Sequence, residues 1–132
     1  MSNAPTVLMG LVPLIRAVVR TAATSNQTTT VTADDSGTLF VSMDGGTTHT
    51  FTLPTLALGA GKHWIFFNGQ STSYMTITGP TDKIIGSDDV TATSIISDAV
   101  AASAAIVVCD GTWYYAITTS GAKTTAGVWT TA

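Results

Sequence analysis

Short apolar runs alternate with turn-forming residues along most of the chain, and this spacing is the feature that most constrains the fold. From Thr28 onward the runs recur about every eight to twelve residues, which is typical of an all-β sandwich or barrel. The sequence therefore predicts an all-β fold, either an antiparallel β-sandwich or a jelly-roll-like barrel. The predicted strands are 29–33, 38–43, 47–53, 63–68, 74–78, 83–85, 91–97, 104–109, 112–118 and 128–130.

Composition supports strands over helices. The 132 residues suffice for one domain and include 26 threonines, and all eight acidic residues are aspartate. Threonine favours strands, whereas the strong helix formers that cover exposed helices are scarce. Charged residues make up 10% of the chain against a usual value of about 25%. A helical bundle is therefore disfavoured, and so neutral a surface favours association with a partner.

Three segments carry specific predictions about burial and turns. Residues 47–53 alternate, so His49 and Phe51 should face the core. Residues 63–67 are bulky throughout, which predicts a strand that is buried on both sides or is covered by another subunit. Asp110-Gly111 predicts a hairpin with a two-residue type I′ turn, which places Tyr115 on the face opposite Tyr114.

The N-terminal segment differs from the rest of the chain. Residues 1–27 are interpreted as an arm and linker, and residues 28–132 as the β-sandwich body. The arm is aliphatic and interrupted by Gly10 and Pro13, and its apolar stretch is shorter than the roughly 20 residues of a membrane helix. Its arginines follow the apolar run instead of preceding it, which disfavours a secretory signal. We expect no membrane partner and an arm that lies against the body, a neighbouring subunit or a larger partner.

The sequence provides few groups for catalysis or ligand binding. His49 and His63 are interpreted as packed or edge residues, and Cys109 as part of a buried strand. The pairs Asp34-Asp35 and Asp88-Asp89 do not have the spacing of a calcium loop. With no nucleophile elbow, phosphate loop or zinc pattern, we expect neither an enzyme, a cofactor nor a metal site. The net charge of −3 argues against nucleic acid as a partner.

Landmarks between residues 36 and 121 resemble a pattern frequent in small structural proteins of tailed bacteriophages. The most specific is the sequence Asp-Gly-Thr-Trp-Tyr at residues 110–114. The landmarks, in chain order, are Phe51-Thr52-Leu53-Pro54, Gly61, Phe66-Phe67-Asn68, Thr76-Ile77-Thr78, Ile84-Ile85-Gly86 and Val107-Val108-Cys109-Asp110-Gly111-Thr112-Trp113-Tyr114.

An arm before a compact β-body is more similar to a capsid cement, or head decoration, protein than to a tail-fibre fragment. The resemblance implies a homotrimer on the outer surface of the virion, which bridges copies of the major capsid protein. On this hypothesis the arm contacts the capsid or a neighbouring subunit through Leu8, Leu11, Leu14, Ile15, Arg16, Val18 and Arg20. The alternative is a tail-fibre or receptor-binding module that recognises carbohydrate, with Trp129 as its exposed aromatic residue.

Overall fold

The computed structural model describes residues 14–22, 25–43, 47–86, 90–97, 99, 101–119 and 129–131. Eleven strands and one short helix make up its regular structure, together with a 3₁₀ turn at Ala33–Asp35. In chain order the elements are β1 (Ala17–Ala22), β2 (Gln27–Thr30), β3 (Thr38–Met43), β4 (His49–Thr52), α1 (Leu56–Gly59), β5 (His63–Asn68), β6 (Met75–Thr78), β7 (Ile84–Ile85), β8 (Ser94–Ile96), β9 (Ser103–Cys109), β10 (Tyr114–Thr118) and β11 (Thr130–Thr131). The prediction of an all-β fold is confirmed.

The strands form two sheets that the chain visits in turn. Sheet A has the order β1-β3-β5-β9-β10-β7, and sheet B has the order β11-β8-β6-β4-β2. Through β6, odd-numbered strands enter sheet A and even-numbered strands enter sheet B, and each pairs in parallel with the preceding strand of its own sheet. Ala17 thus pairs with Thr38 and His49 with Met75, each time after one passage of the chain through the other sheet. The first six strands are therefore three stacked coils, as in a solenoid.

The chain reverses its direction after the third coil. Strand β8 runs antiparallel to β6, and β9 runs antiparallel to β5. Strand β10 returns antiparallel to β9 and is flanked by the parallel strand β7, while β11 closes the other sheet against β8. Both sheets are consequently mixed, and the prediction of a purely antiparallel arrangement is wrong. Long connections through the opposite sheet return the chain in the same direction, which parallel pairing requires.

One hydrophobic core receives side chains from both sheets. Phe51 of sheet B lies with its ring centroid 5.3 Å from that of Phe40 and 5.1 Å from that of Phe66, both in sheet A. Trp64 and Trp129 are also fully buried. The indole nitrogen of Trp64 donates to the carbonyl oxygen of Thr32 at 3.1 Å, which satisfies its polar atom inside the core.

The burial predicted for His49, Phe51 and Cys109 is confirmed, whereas the outward-facing His63 and Phe67 of β5 are only half-buried. Strand β5 is covered at Trp64, Ile65 and Phe66. The β9–β10 hairpin is also confirmed, although its turn differs from the prediction.

In that turn Asp110 donates its backbone N–H to the carbonyl of Trp113, so the two central residues are Gly111 and Thr112. Only Gly111 has a positive φ, +91°. The prediction of a type I′ turn at Asp110-Gly111 is wrong because the Asp110 carboxylate accepts hydrogen bonds from the N–H groups of Thr112 and Trp113. These bonds make Asp110 the first residue of the turn instead of a central one.

Candidate association surface

Strand β1 and the three residues before it contain most of the predicted contact residues. The strand occupies the edge of sheet A, and five of its six residues are exposed. Val18 is 60% exposed on one side of the strand and Val19 is 43% exposed on the other. Leu14 and Ile15, just before the strand, are also exposed. Among the described residues, the unpaired backbone groups along this apolar edge strand are therefore a template for pairing with another chain.

The residues before β1 are anchored to the body at two points. The Arg16 side chain donates to the carbonyl oxygen of Ser36, with Nε at 3.1 Å. The His63 ring nitrogen Nε2 lies 2.8 Å from the carbonyl oxygen of Leu14. Arg16 is thus held against its own chain, while Arg20 is exposed on β1. Leu8 and Leu11 lie outside the described residues, and so does the arm over residues 1–13.

Sheet A has an apolar outer face, which we define as the side opposite the core. Its centre is a row of five side chains that are paired in register across five strands. Trp64 and Phe66 enter the core, so the residue between them points outward. We call this the aliphatic row; its members are Val18, Leu39, Ile65, Ile106 and Ile117.

The outer face of sheet B has the opposite chemistry. Two registered rows cross it and consist almost entirely of hydroxyl side chains. The first row is Thr28, Thr50, Thr76, Ile96 and Thr130, and the second is Thr30, Thr52, Thr78 and Ser94. The hydroxyl oxygens of Thr78 and Ser94 lie 2.8 Å apart, as expected for a cross-strand hydrogen bond. We call these the threonine rows.

Asp110 lies at the rim of sheet A, between β9 and β10. Asp110 accepts a hydrogen bond of 2.6 Å from the Tyr115 hydroxyl. This bond and those from the backbone of Trp113 and Thr112 lower the pKa of Asp110, and the same bond raises the pKa of Tyr115. Lys83 lies over the Trp113 ring at 4.6 Å from its centroid. These groups are already partnered within the chain and form no cluster suited to acid–base chemistry.

A buried polar cluster, which the sequence analysis missed, joins the two sheets at one end. The Asn68 amide donates to the carbonyl of Ser73 at 3.0 Å and to the hydroxyl of Ser97 at 3.1 Å. The Gln70 amide donates to the hydroxyl of Ser42 at 2.9 Å and to the carbonyl of Thr47 at 3.1 Å. The Asn-Gly-Gln sequence after an apolar strand was the available signal. These groups satisfy one another, so the cluster is a structural one.

Trp129 and the two aspartate pairs are the remaining candidates from the sequence. Trp129 is 1% exposed, so the prediction that it is an exposed aromatic residue is wrong. It directly precedes β11, whose pairing with β8 brings it over the core. Asp35 accepts from the backbone and hydroxyl of Thr32, which is a capping role, and Asp88-Asp89 lie outside the described residues. In the described part of the chain no three metal-ligating side chains come together.

Two further findings concern membranes and known proteins. Within the described ranges, no helix has the length and apolar character needed to cross a membrane. No protein-family model matches the chain, and no curated protein matches it either.

Proposed function

We propose that this chain is a non-enzymatic structural protein of a tailed-phage virion that decorates the capsid and cements neighbouring capsid proteins. The observation that carries the proposal is β1, an apolar strand exposed on both sides at the edge of a sheet. Burying Leu14, Ile15, Val18 and Val19 against another protein removes apolar surface from water, at about 25 cal/mol per Å². Such contacts need no reactive group.

The sandwich architecture, the contact made by the arm and the oligomeric state belong to the same proposal. Two sheets that share one core are the layers of a sandwich, and the arm contacts the major capsid protein through the exposed residues in and just before β1. The resemblance of the body to phage structural proteins supports a homotrimer on the outer capsid surface. In this position each copy adds contacts across the seam between capsid proteins, so internal DNA pressure has to break more buried area.

The test is binding to expanded phage heads that lack the protein. Purified chain is mixed with the heads, the heads are sedimented, and bound copies are counted at increasing protein concentration. Saturation at a fixed ratio to the major capsid protein is expected. No binding to heads, together with specific binding on a glycan array, would overturn the proposal in favour of a tail-fibre or receptor-binding module.

Matched variants test the role of β1. Ile15→Asp with Val19→Asp places charges on the exposed apolar edge at two residues outside the aliphatic row, and we expect it to reduce head binding at least about tenfold, the equivalent of 1.4 kcal/mol. Thr28→Asp with Thr30→Asp places the same charges on β2, the exposed edge of sheet B. Equal head binding by the two variants would contradict a specific role for β1.

A further inference from the structure

In the described part of the chain, the outer face of sheet A is covered only at its centre, where Ile65 is buried, whereas Val18 and Ile117 are 60% and 63% exposed. The first three strands of each sheet pair in parallel, but only in sheet A is the outer face aliphatic, as it is in parallel strands that are covered on both faces. The sequence of β5 fits that environment, since it alternates Trp64 and Phe66 towards the core with Ile65 and Phe67 on the other side. The described residues therefore leave this aliphatic face without a complete second layer. We propose that a second copy of this chain supplies it, so that the outer face of sheet A is the self-association interface.

The outer face of sheet A carries both a projecting side chain, Ile117, and a groove that can receive this side chain from another copy. The groove, of about 270 Å³, lies over β5, β9 and β10 and is lined by Ile65, Ala104, Ala105, Ile106, Ile117, Thr118 and Thr119. Ile117 is 63% exposed at its margin. In a contact between identical copies, each copy inserts its projecting side chain into the groove of the other, so one protein has to carry both features. A foreign partner would require only one of the two features.

The charge distribution is consistent with a contact between copies. The aliphatic row contains no charged side chain, so no charge at the centre of the contact loses its water without a partner. Arg20 lies in the neighbouring row at the β1 end, and Asp110 lies beyond Tyr115 at the other end. An apolar centre with charges confined to its periphery is the usual anatomy of an oligomer interface. The threonine rows of sheet B offer no comparable apolar centre.

This inference deepens the proposed function, on which it rests for its biological setting, by naming the partner of sheet A. The test is sedimentation velocity of the purified full chain over a dilution series, without heads. We expect a concentration-dependent oligomer in the wild type. Ile117→Lys should weaken association roughly 30-fold or more, as for a central interface residue. Thr76→Lys, on the outer face of sheet B, is the matched control and should leave association unchanged.

Disulfide cross-linking between cysteine variants provides a second test in case Ile117→Lys does not fold. Chains with Ile117→Cys are mixed with chains with Ala104→Cys, because the proposal brings the projection of one copy to the groove of another. Oxidation should give a covalent dimer of the two chains, whereas a mixture of Thr52→Cys and Thr76→Cys chains should not. A wild type that stays monomeric at all concentrations would overturn the inference, and so would an oligomer that survives Ile117→Lys.

The two proposals fail in different ways. If the wild type is monomeric and Ile117→Lys abolishes binding to heads, the outer face of sheet A belongs to the capsid contact. In that case the self-association inference is wrong and the proposed function stands. If an Ile117-dependent oligomer forms and does not bind heads, self-association stands and the capsid role is wrong.

Discussion

The outer faces of the two sheets differ in chemistry although the strands beneath them are built alike. Both sheets send aromatic and aliphatic side chains into one core. On the outside, sheet A presents the aliphatic row and sheet B presents the threonine rows. Valine, isoleucine and threonine are all β-branched and favour strands to similar degrees. Strand formation therefore does not require an aliphatic outer face, and a difference of this kind is what the proposed contact on sheet A predicts.

The two outermost coil strands repeat this contrast. Strand β1 is the edge of sheet A and β2 is the edge of sheet B, and nearly all the residues of both are exposed. Val18 and Val19 occupy the first edge, whereas Thr28 and Thr30 occupy the second. An apolar edge favours pairing with another chain, and a polar edge favours hydration. The asymmetry thus extends from the faces to the edges of the sheets.

The largest expected effect distinguishes the inner from the outer face of sheet A. Phe66 and Phe67 are neighbours on β5, but only Phe66 belongs to the buried core. Phe66→Ala should lower the free energy of unfolding by about 3–5 kcal/mol, because it leaves a cavity among the packed rings of Phe40 and Phe51. Urea unfolding of a dilute, monomeric sample measures the loss. Phe67→Ala is the matched control, and an equal loss there would show that the outer side is buried within one chain.

Local patterns are sufficient to predict several elements. Strands β3 and β5 begin and end at the residues that the sequence predicts, since turn residues bound both apolar runs. The position of Tyr114 and Tyr115 on opposite faces also follows from simple alternation and is confirmed, since Tyr114 is buried and Tyr115 is 38% exposed. These features depend on neighbours within a few residues, which a sequence pattern records directly.

Features that depend on distant pairing do not follow from local patterns. By its sequence, β1 is part of an arm, because its apolar residues do not alternate and follow Pro13. It forms a strand because β3, which lies beyond β2 in the chain, pairs with it. The burial of Trp129 likewise depends on pairing between β11 and β8, which β9 and β10 separate along the chain. The aliphatic row requires the order of five strands, and no local pattern specifies that order.

An exchange of chemistry between the two outer faces should give the next largest effect. Ile106→Thr with Ile117→Thr gives sheet A the surface of sheet B, and we expect the oligomer to dissociate while the fold is retained. Thr50→Val with Thr76→Val makes the reverse change and should introduce association or reduce solubility. Sedimentation and solubility measurements check both variants. Retained association in the first variant would show that the aliphatic row is not what distinguishes the faces.

The smallest expected effect comes from a titratable side chain on the inner face of sheet B. His49 is buried, with its ring centroid 4.2 Å from that of Phe51 and its Nε2 atom 2.9 Å from the Thr29 hydroxyl. Burial lowers the pKa of His49 below its ordinary value of 6.5, because the charged ring loses water. The unfolded chain therefore binds a proton at a higher pH than the folded chain.

The stability contributed by neutral His49 should be fully present above the unfolded pKa and should fall as the pH decreases towards the folded pKa. Urea unfolding between about pH 7.5 and about pH 5 measures this change, above the range in which most carboxylates titrate. His49→Gln should flatten the profile in this interval, since glutamine has no proton to bind. If His49→Gln keeps the wild-type slope, the pH dependence originates elsewhere, and the burial of His49 does not make the stability of sheet B depend on pH.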